Sequence, residues 1–271
     1  MNMTATITKI AAVQLISTPV PEENFAVVRR LVAQAAKDGA QLVLLPEYWP
    51  IMGMHEADKV AHAETLDSGP IQALMASMAQ EHRIWLIGGT LPLIAPQAGK
   101  VLNTMLVYDP NGKRVARYDK IHLFSFTKGD ESYDEARTIV PGTEVQTFEA
   151  PFGKVGLSVC YDLRFPEMYR AMGECKLIVV PAAFTYTTGK SHWETLLRAR
   201  AIENQCYVLA AAQGGQHPNG RRTWGHSMLI DPWGEIKAVV EEGEGLVIGD
   251  IDPNVLQRVR ESLPALKHRR L

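Results

Sequence analysis

The chain is poor in cysteine, close to neutral, and lacks any long apolar run. Its three cysteines, Cys160, Cys175 and Cys206, stand among 271 residues. The number is odd, too small for a disulfide scaffold, and includes no C-x-x-C pair, so each is read as a thiol in a reducing cytoplasm. Lys plus Arg number 28 against 30 Asp plus Glu, a formal charge of −2. That balance gives no electrostatic reason to expect a nucleic-acid or membrane-surface partner. The uncharged stretch from Ile84 to Gly99 is broken by Gly88, Gly89, Pro92 and Pro96. It cannot supply the ~20 apolar residues of a membrane span. Met1 to Gln14 holds no apolar block followed by a small-residue cleavage site, so no secretory signal is expected. Neither G-x-x-x-x-G-K-[ST] nor G-x-G-x-x-G occurs, and the eight histidines show no metal-ligand spacing. No nucleotide, flavin or metal cofactor is therefore expected.

What remains is the composition of a packed protein, 46% hydrophobic and 21% charged. Strand and helix signals alternate along it. Ile7–Leu15 and Gln41–Leu45 read as buried strands, and Pro21 opens a helix between them that ends near Gly39. Ile71, Leu74, Met75, Met78 and Ala79 fall on one helical face, and Ile84–Leu91 reads as one further strand. The order then returns: strands at Val155–Cys160, Leu177–Val180 and Cys206–Ala212, with a helix starting at Ser191, whose Glu194 has capping-box spacing. Asp109-Pro110-Asn111-Gly112 and Asp231-Pro232-Trp233-Gly234 both suit type I turns in hairpins.

Two similar halves with helices on one face of each sheet leave two apolar faces to stack together. The predicted fold is an α/β, four-layer αββα sandwich. No linker composition divides it, so residues 1–271 read as one domain, with a core over about 7–251 and a C-terminal extension over 252–271. The basic end, Lys267-His268-Arg269-Arg270, reads as a solvated or partner-docked tail.

Three positions suggest chemistry. Cys160 lies where an apolar strand runs into Tyr161-Asp162-Leu163-Arg164, and it reads equally as a structural cysteine or as an activated thiol. Cys175 and Cys206 flank apolar strands and read as packing residues. Ser158 reads as a strand residue. Glu47, walled by Pro46, Tyr48, Trp49 and Pro50, is either a loop carboxylate or a desolvated general base. Lys120, among Tyr118, Ile121 and Phe124, is either solvated or buried against a partner.

Leu-Leu-Pro-Glu47, Tyr-Asp-Lys120-Ile-His-Leu-Phe and Gly-Leu-Ser-Val-Cys160-Tyr-Asp-Leu-Arg-Phe-Pro-Glu together resemble the nitrilase, or carbon–nitrogen hydrolase, superfamily over about residues 7–265. The resemblance implies an αββα fold, a Glu47–Lys120–Cys160 catalytic set, and a homodimer or larger homo-oligomer. It also implies that Glu131 supports Lys120 and that the Tyr161 N–H helps hold an oxyanion. The segments Thr188–Glu203, Gly225–Met228 and Asp231–Gly234 are similar to those of deaminated glutathione amidases. Those enzymes cleave the amide joining 2-oxoglutarate to cysteinylglycine; related ω-amidases cleave 2-oxoglutaramate. One departure is Ser125, where such enzymes usually carry Asp.

An anionic acyl group needs a cation and hydroxyl donors. Arg164, unless it pairs with Glu167 or Asp162, and Thr185 with Thr187 and Thr188 are the candidates. His192 and Trp193 read as helix packing and capping residues. A nitrilase and an inactive binding protein of the same fold are the competing expectations.

Overall fold

The computed structural model describes residues 6–129 and 131–270. The first half runs β1 (Thr8–Gln14), α1 (Pro21–Lys37), β2 (Leu42–Leu44), α2 (Asp58–Ala61), α3 (Pro70–His82), β3 (Trp85–Ile87), β4 (Leu91–Ile94), β5 (Val101–Tyr108) and β6 (Arg114–Asp119). A ribbon of β7 (Ser125–Lys128) and β8 (Glu131–Asp134) follows. The second half runs β9 (Thr147–Ala150), β10 (Gly153–Leu157), α4 (Pro166–Ala171), β11 (Leu177–Ala182), α5 (Tyr186–Asn204), β12 (Tyr207–Ala212), β13 (Ser227–Ile230) and β14 (Ile236–Val240). Then β15 (Gly245–Ile251) returns to pair antiparallel with β1, and α6 (Pro253–Ser262) and a 3-10 turn (Ala265–His268) follow.

The first sheet has the order β15-β1-β2-β3-β5-β4, with β6 on β5; the second has the order β14-β13-β12-β11-β10-β9. Both are mixed: β1, β2 and β3 are parallel, as are β10, β11 and β12, and the flanking strands are antiparallel. Strand alternation explains the layers. Ile10, Ala12, Leu42 and Leu44 pack with Val155, Leu157, Leu177 and Val179 of the second sheet. The intervening Ala11, Val13 and Val43 face Val28, Val32, Leu74 and Met78 of α1 and α3. On the far side, Trp193, Leu197 and Ala201 of α5 join the core with Met168 and Tyr169 of α4. The result is the αββα sandwich expected from the sequence.

Both predicted turns close hairpins. The Gly112 and Gly234 amides donate to the Asp109 and Asp231 carbonyls at 2.9 Å, and both glycines have positive φ. Two local expectations need correction. Ile84–Leu91 is not one strand, because the chain breaks at Gly88–Gly89 between β3 and β4. Gly89 has φ +52°, and a Cβ there would lie 2.0 Å from the Pro46 carbonyl. That close approach lets the segment leading to Glu47 lie against the break. The second correction concerns α5, which begins at Tyr186 rather than Ser191; Thr185 caps it by accepting from the Thr188 amide. Among the described residues, no helix is long and apolar enough to cross a membrane.

Candidate active site

Strand ends deliver the site. Glu47 follows β2, Lys120 follows β6, Cys160 follows β10 and Ala183 follows β11. The two sheets join at this end: the Leu15 amide donates to Ala212 and the Gly214 amide to Leu15. Gln213, at that junction, donates to the Glu47 carbonyl at 3.0 Å and to Ser17 Oγ at 2.8 Å. The backbone of Glu47 is thus tied to the second sheet.

Glu47, Lys120 and Cys160 are all buried and meet at one point. Lys120 Nζ donates to Glu47 Oε1 at 2.8 Å, and the Asn103 side-chain amide donates to the same oxygen at 2.9 Å. Glu47 Oε2 accepts from the Ala183 amide at 2.9 Å, and the Cys160 thiol lies near enough to feel the charge of that carboxylate. These bonds fix both carboxylate oxygens in a place without bulk water.

The carboxylate found on the far side of Lys120 is Glu135. Lys120 Nζ donates to Glu135 Oε1 and Oε2 at 2.9 and 2.8 Å. Tyr48 donates its hydroxyl to Glu135 Oε1 at 2.6 Å, and the Phe124 amide donates to Oε2 at 2.7 Å. Glu135, which the sequence analysis does not single out, is thus the second carboxylate on Lys120; the side chain of Glu131, expected to support Lys120, lies outside the described residues. The acidic run 130–135 offers several carboxylates. Glu135 opens the turn after β8, where Asp134 accepts from the Ala136 amide, and its side chain is directed at Lys120.

Burial alone would push Lys120 down. The carboxylates of Glu135 and Glu47 outweigh it and hold the ammonium well above its ordinary value. Burial would likewise raise Glu135, but Lys120 and the Tyr48 hydroxyl bring it below the usual carboxylate range. The Cys160 thiol is driven the other way: burial, then the Glu47 charge, push it well above normal despite Lys120. The resting site holds the Lys120 ammonium between Glu47 and Glu135, with the Cys160 thiol beside Glu47 kept in its protonated form by burial. Such a thiol needs a base at the moment of attack.

Cys160 has φ +50°, a left-handed conformation that costs a non-glycine residue roughly 1 kcal/mol. It opens a short 3-10 turn, Cys160–Arg164, and the strain is held by Asp162. The Asp162 carboxylate accepts from the Val159 amide at 2.8 Å and the Tyr118 hydroxyl at 2.7 Å. It also accepts from the His122 amide at 3.1 Å and sits 2.7 Å from His122 Nδ1. Arg200 clamps the turn from behind by donating twice to the Leu163 carbonyl. Cys160 and Tyr161 are the first two residues of that turn, where a helical N–H meets no intrahelical carbonyl. Ser158 is buried away from the chemistry, donating to the Val179 carbonyl and accepting from Tyr169. Cys175 and Cys206 are buried packing residues; burial pushes the Cys175 thiol to about 11 and raises that of Cys206 as well.

A narrow cleft of about 20 Å³ opens over the thiol, lined by Glu47, Glu135, Cys160, Thr185, Arg221 and Arg222 among others. Thr185 is thus at the site, although its hydroxyl also caps α5 and bonds Thr188. Arg164 is placed elsewhere. Its guanidinium lies over the rings of Tyr161 and Phe184 and 3.2 Å from His192 Nδ1, while Asp162 is occupied by His122. The cations of the cleft come instead from the loop between β12 and β13. Trp193 is buried, its ring N–H donating to the His226 carbonyl, whereas His192 is exposed. Sequence adjacency to Cys160 favoured Arg164. Arg221 and Arg222 sit about sixty residues farther on and carry no local motif. Among the described residues, no cluster of three His, Cys, Asp or Glu could hold a metal ion.

The sequence profile of the Carbon-nitrogen hydrolase family matches residues 9–261. A protein named deaminated glutathione amidase from Synechocystis sp. is 42% identical over 265 residues, covering 96% of this chain and 97% of its own. An omega-amidase (NIT2) of Mus musculus is 38% identical, covering 97% and 95%. The crystal structure of the C. elegans NitFhit protein superposes with a TM-score of 0.91 at 38% identity, over 99% of this chain and 66% of that longer one.

Proposed function

This chain belongs to the carbon–nitrogen hydrolase family, and from that premise we propose that it is an amidase acting through a Cys160 thioester. The observation that carries the proposal is the buried Lys120–Glu47 ion pair, with Glu47 and the Cys160 thiol lining one cleft. Glu47 removes the thiol proton as sulfur attacks the amide carbonyl. The oxyanion that forms takes a hydrogen of Lys120 now shared between the two Glu135 oxygens, together with the Tyr161 N–H. Donors so placed contribute about 3–4 kcal/mol each to the transition state. Protonated Glu47 then passes its proton to the leaving nitrogen as the C–N bond breaks. In the second half Glu47 takes a proton from water, which attacks the thioester; the acid leaves and the proton returns to sulfur.

The substrate we propose is deaminated glutathione, cleaved to 2-oxoglutarate and cysteinylglycine. Arg222 and Thr185 in the cleft suit the acid end of a 2-oxodicarboxylate, and the relatives named above support that class. The omega-amidase relative favours 2-oxoglutaramate as the second reading, since the two substrates share an acyl half. Turnover of both amides by purified protein separates the readings. We expect free cysteinylglycine from the first with a kcat/KM at least tenfold above that for ammonia release from the second. The reverse order would reassign the physiological substrate.

A further inference from the structure

Outside the cleft lies a second, larger hollow of about 200 Å³ that the mechanism does not use. It shares Tyr48, Met52, Tyr133 and Arg221 with the cleft over Cys160, so the two adjoin across those side chains. We propose that this vestibule binds the leaving-amine half of the substrate, with Lys59 and Arg221 receiving its terminal carboxylate. The inference rests on the amidase reading and extends it to the group that departs.

Charge and shape both support it. Among the described lining residues two cations, Lys59 and Arg221, face one carboxylate, Glu56. Lys59 pairs with Glu56, and Arg221 Nη1 lies 3.4 Å from the other Glu56 oxygen. An exposed side-chain carboxylate thus already occupies the place between the two cations, which shows that a carboxylate fits there. Glu56 lies on the exposed segment just before α2 and can swing into solvent when a ligand carboxylate takes its place. The cations are far less free to move. Lys59 is mostly covered and lies 5.2 Å from the centre of the Tyr48 ring; the Arg221 guanidinium is 4.7 Å from that of Tyr133. Stacked cations with little rotamer freedom lose less entropy on binding an anion than solvated ones. Between this pair and the thiol, Met52 and the two tyrosine rings offer a soft apolar passage of the kind a short peptide needs.

The test compares two amides of one acid: 2-oxoglutaramate, which releases ammonia, and deaminated glutathione, which releases a dipeptide. In Lys59→Met the ratio of kcat/KM for the dipeptide amide to that for the simple amide is expected to fall about tenfold, through KM. A ratio unchanged from wild type would overturn the vestibule assignment. If wild type turns over neither amide, the substrate reading fails by itself and binding decides the site. Calorimetry would then compare alanylglycine with alanylglycinamide. Binding that needs the free carboxylate and is lost in Lys59→Met sustains the proposal; binding indifferent to the carboxylate, or no binding of either peptide, overturns it.

Discussion

Replacing Cys160 with Ala is expected to lower kcat by roughly 10⁴- to 10⁶-fold, the scale of losing the nucleophile in a hydrolase whose binding contacts remain. The substitution removes one sulfur from a buried site and leaves the Glu47–Lys120–Glu135 array intact. Its cost in stability should therefore be small, about 1 kcal/mol. A companion variant separates chemistry from backbone. Because Cys160 has φ +50°, Cys160→Gly relieves the left-handed strain that Ala retains. It should be more stable than Cys160→Ala by about 0.5–1 kcal/mol while being equally inactive. Urea denaturation of the two variants reads the difference. Equal stability would mean that the turn held by Asp162 stores no strain, and residual activity within tenfold of wild type would remove sulfur from the mechanism.

Lys120→Met is expected to lose activity and also to be destabilised by about 3–5 kcal/mol. Methionine fills much of the lysine's volume, so the loss is electrical rather than steric. Without the ammonium, Glu47 and Glu135 face each other across a site that excludes water, each deprived of its charged donor. Two carboxylates in that position resist joint ionisation. The deficit should accordingly shrink as pH is lowered and one of them takes up a proton. In wild type the sign runs the other way. Glu135 is held below its ordinary value, so its contribution is present above the unfolded carboxylate range near ~4.3 and lost as pH falls through the lower folded value. Lys120 is held above its own, so its contribution persists up to ~10.4 and is lost as pH rises further. Denaturation midpoints for both proteins between pH 5 and pH 8 would show converging curves on the acid side. Parallel curves would mean that the lysine does not offset carboxylate repulsion.

The sequence was most legible where one residue type has one physical use. The apolar runs of β1 and β2 and the face of α3 predicted layers that the structure contains. Glu47, Lys120 and Cys160 each left a functional reading open on local setting, and the resemblance to the nitrilase superfamily joined them into one set. The readings that failed turned on contacts between segments distant in the chain. Glu135 carries no local signal that sets it apart from its acidic neighbours, and only the fold brings it to Lys120. Arg221 and Arg222 reach the cleft only because the β12–β13 loop folds back over it, whereas Arg164, near in sequence, is drawn onto aromatic rings. Gly189 hid the true start of α5, since glycine weakens a helix signal. The structure shows why it stands there: a Cβ would lie 2.3 Å from that of Trp224.

Rapid-quench intact-mass measurement during turnover tests the central claim most directly. The account predicts a transient species heavier than the free chain by the acyl group alone, on a peptide containing Cys160, and absent from Cys160→Ala. Full turnover with no such adduct at any quench time, or the same adduct on the Cys160→Ala protein, would contradict it.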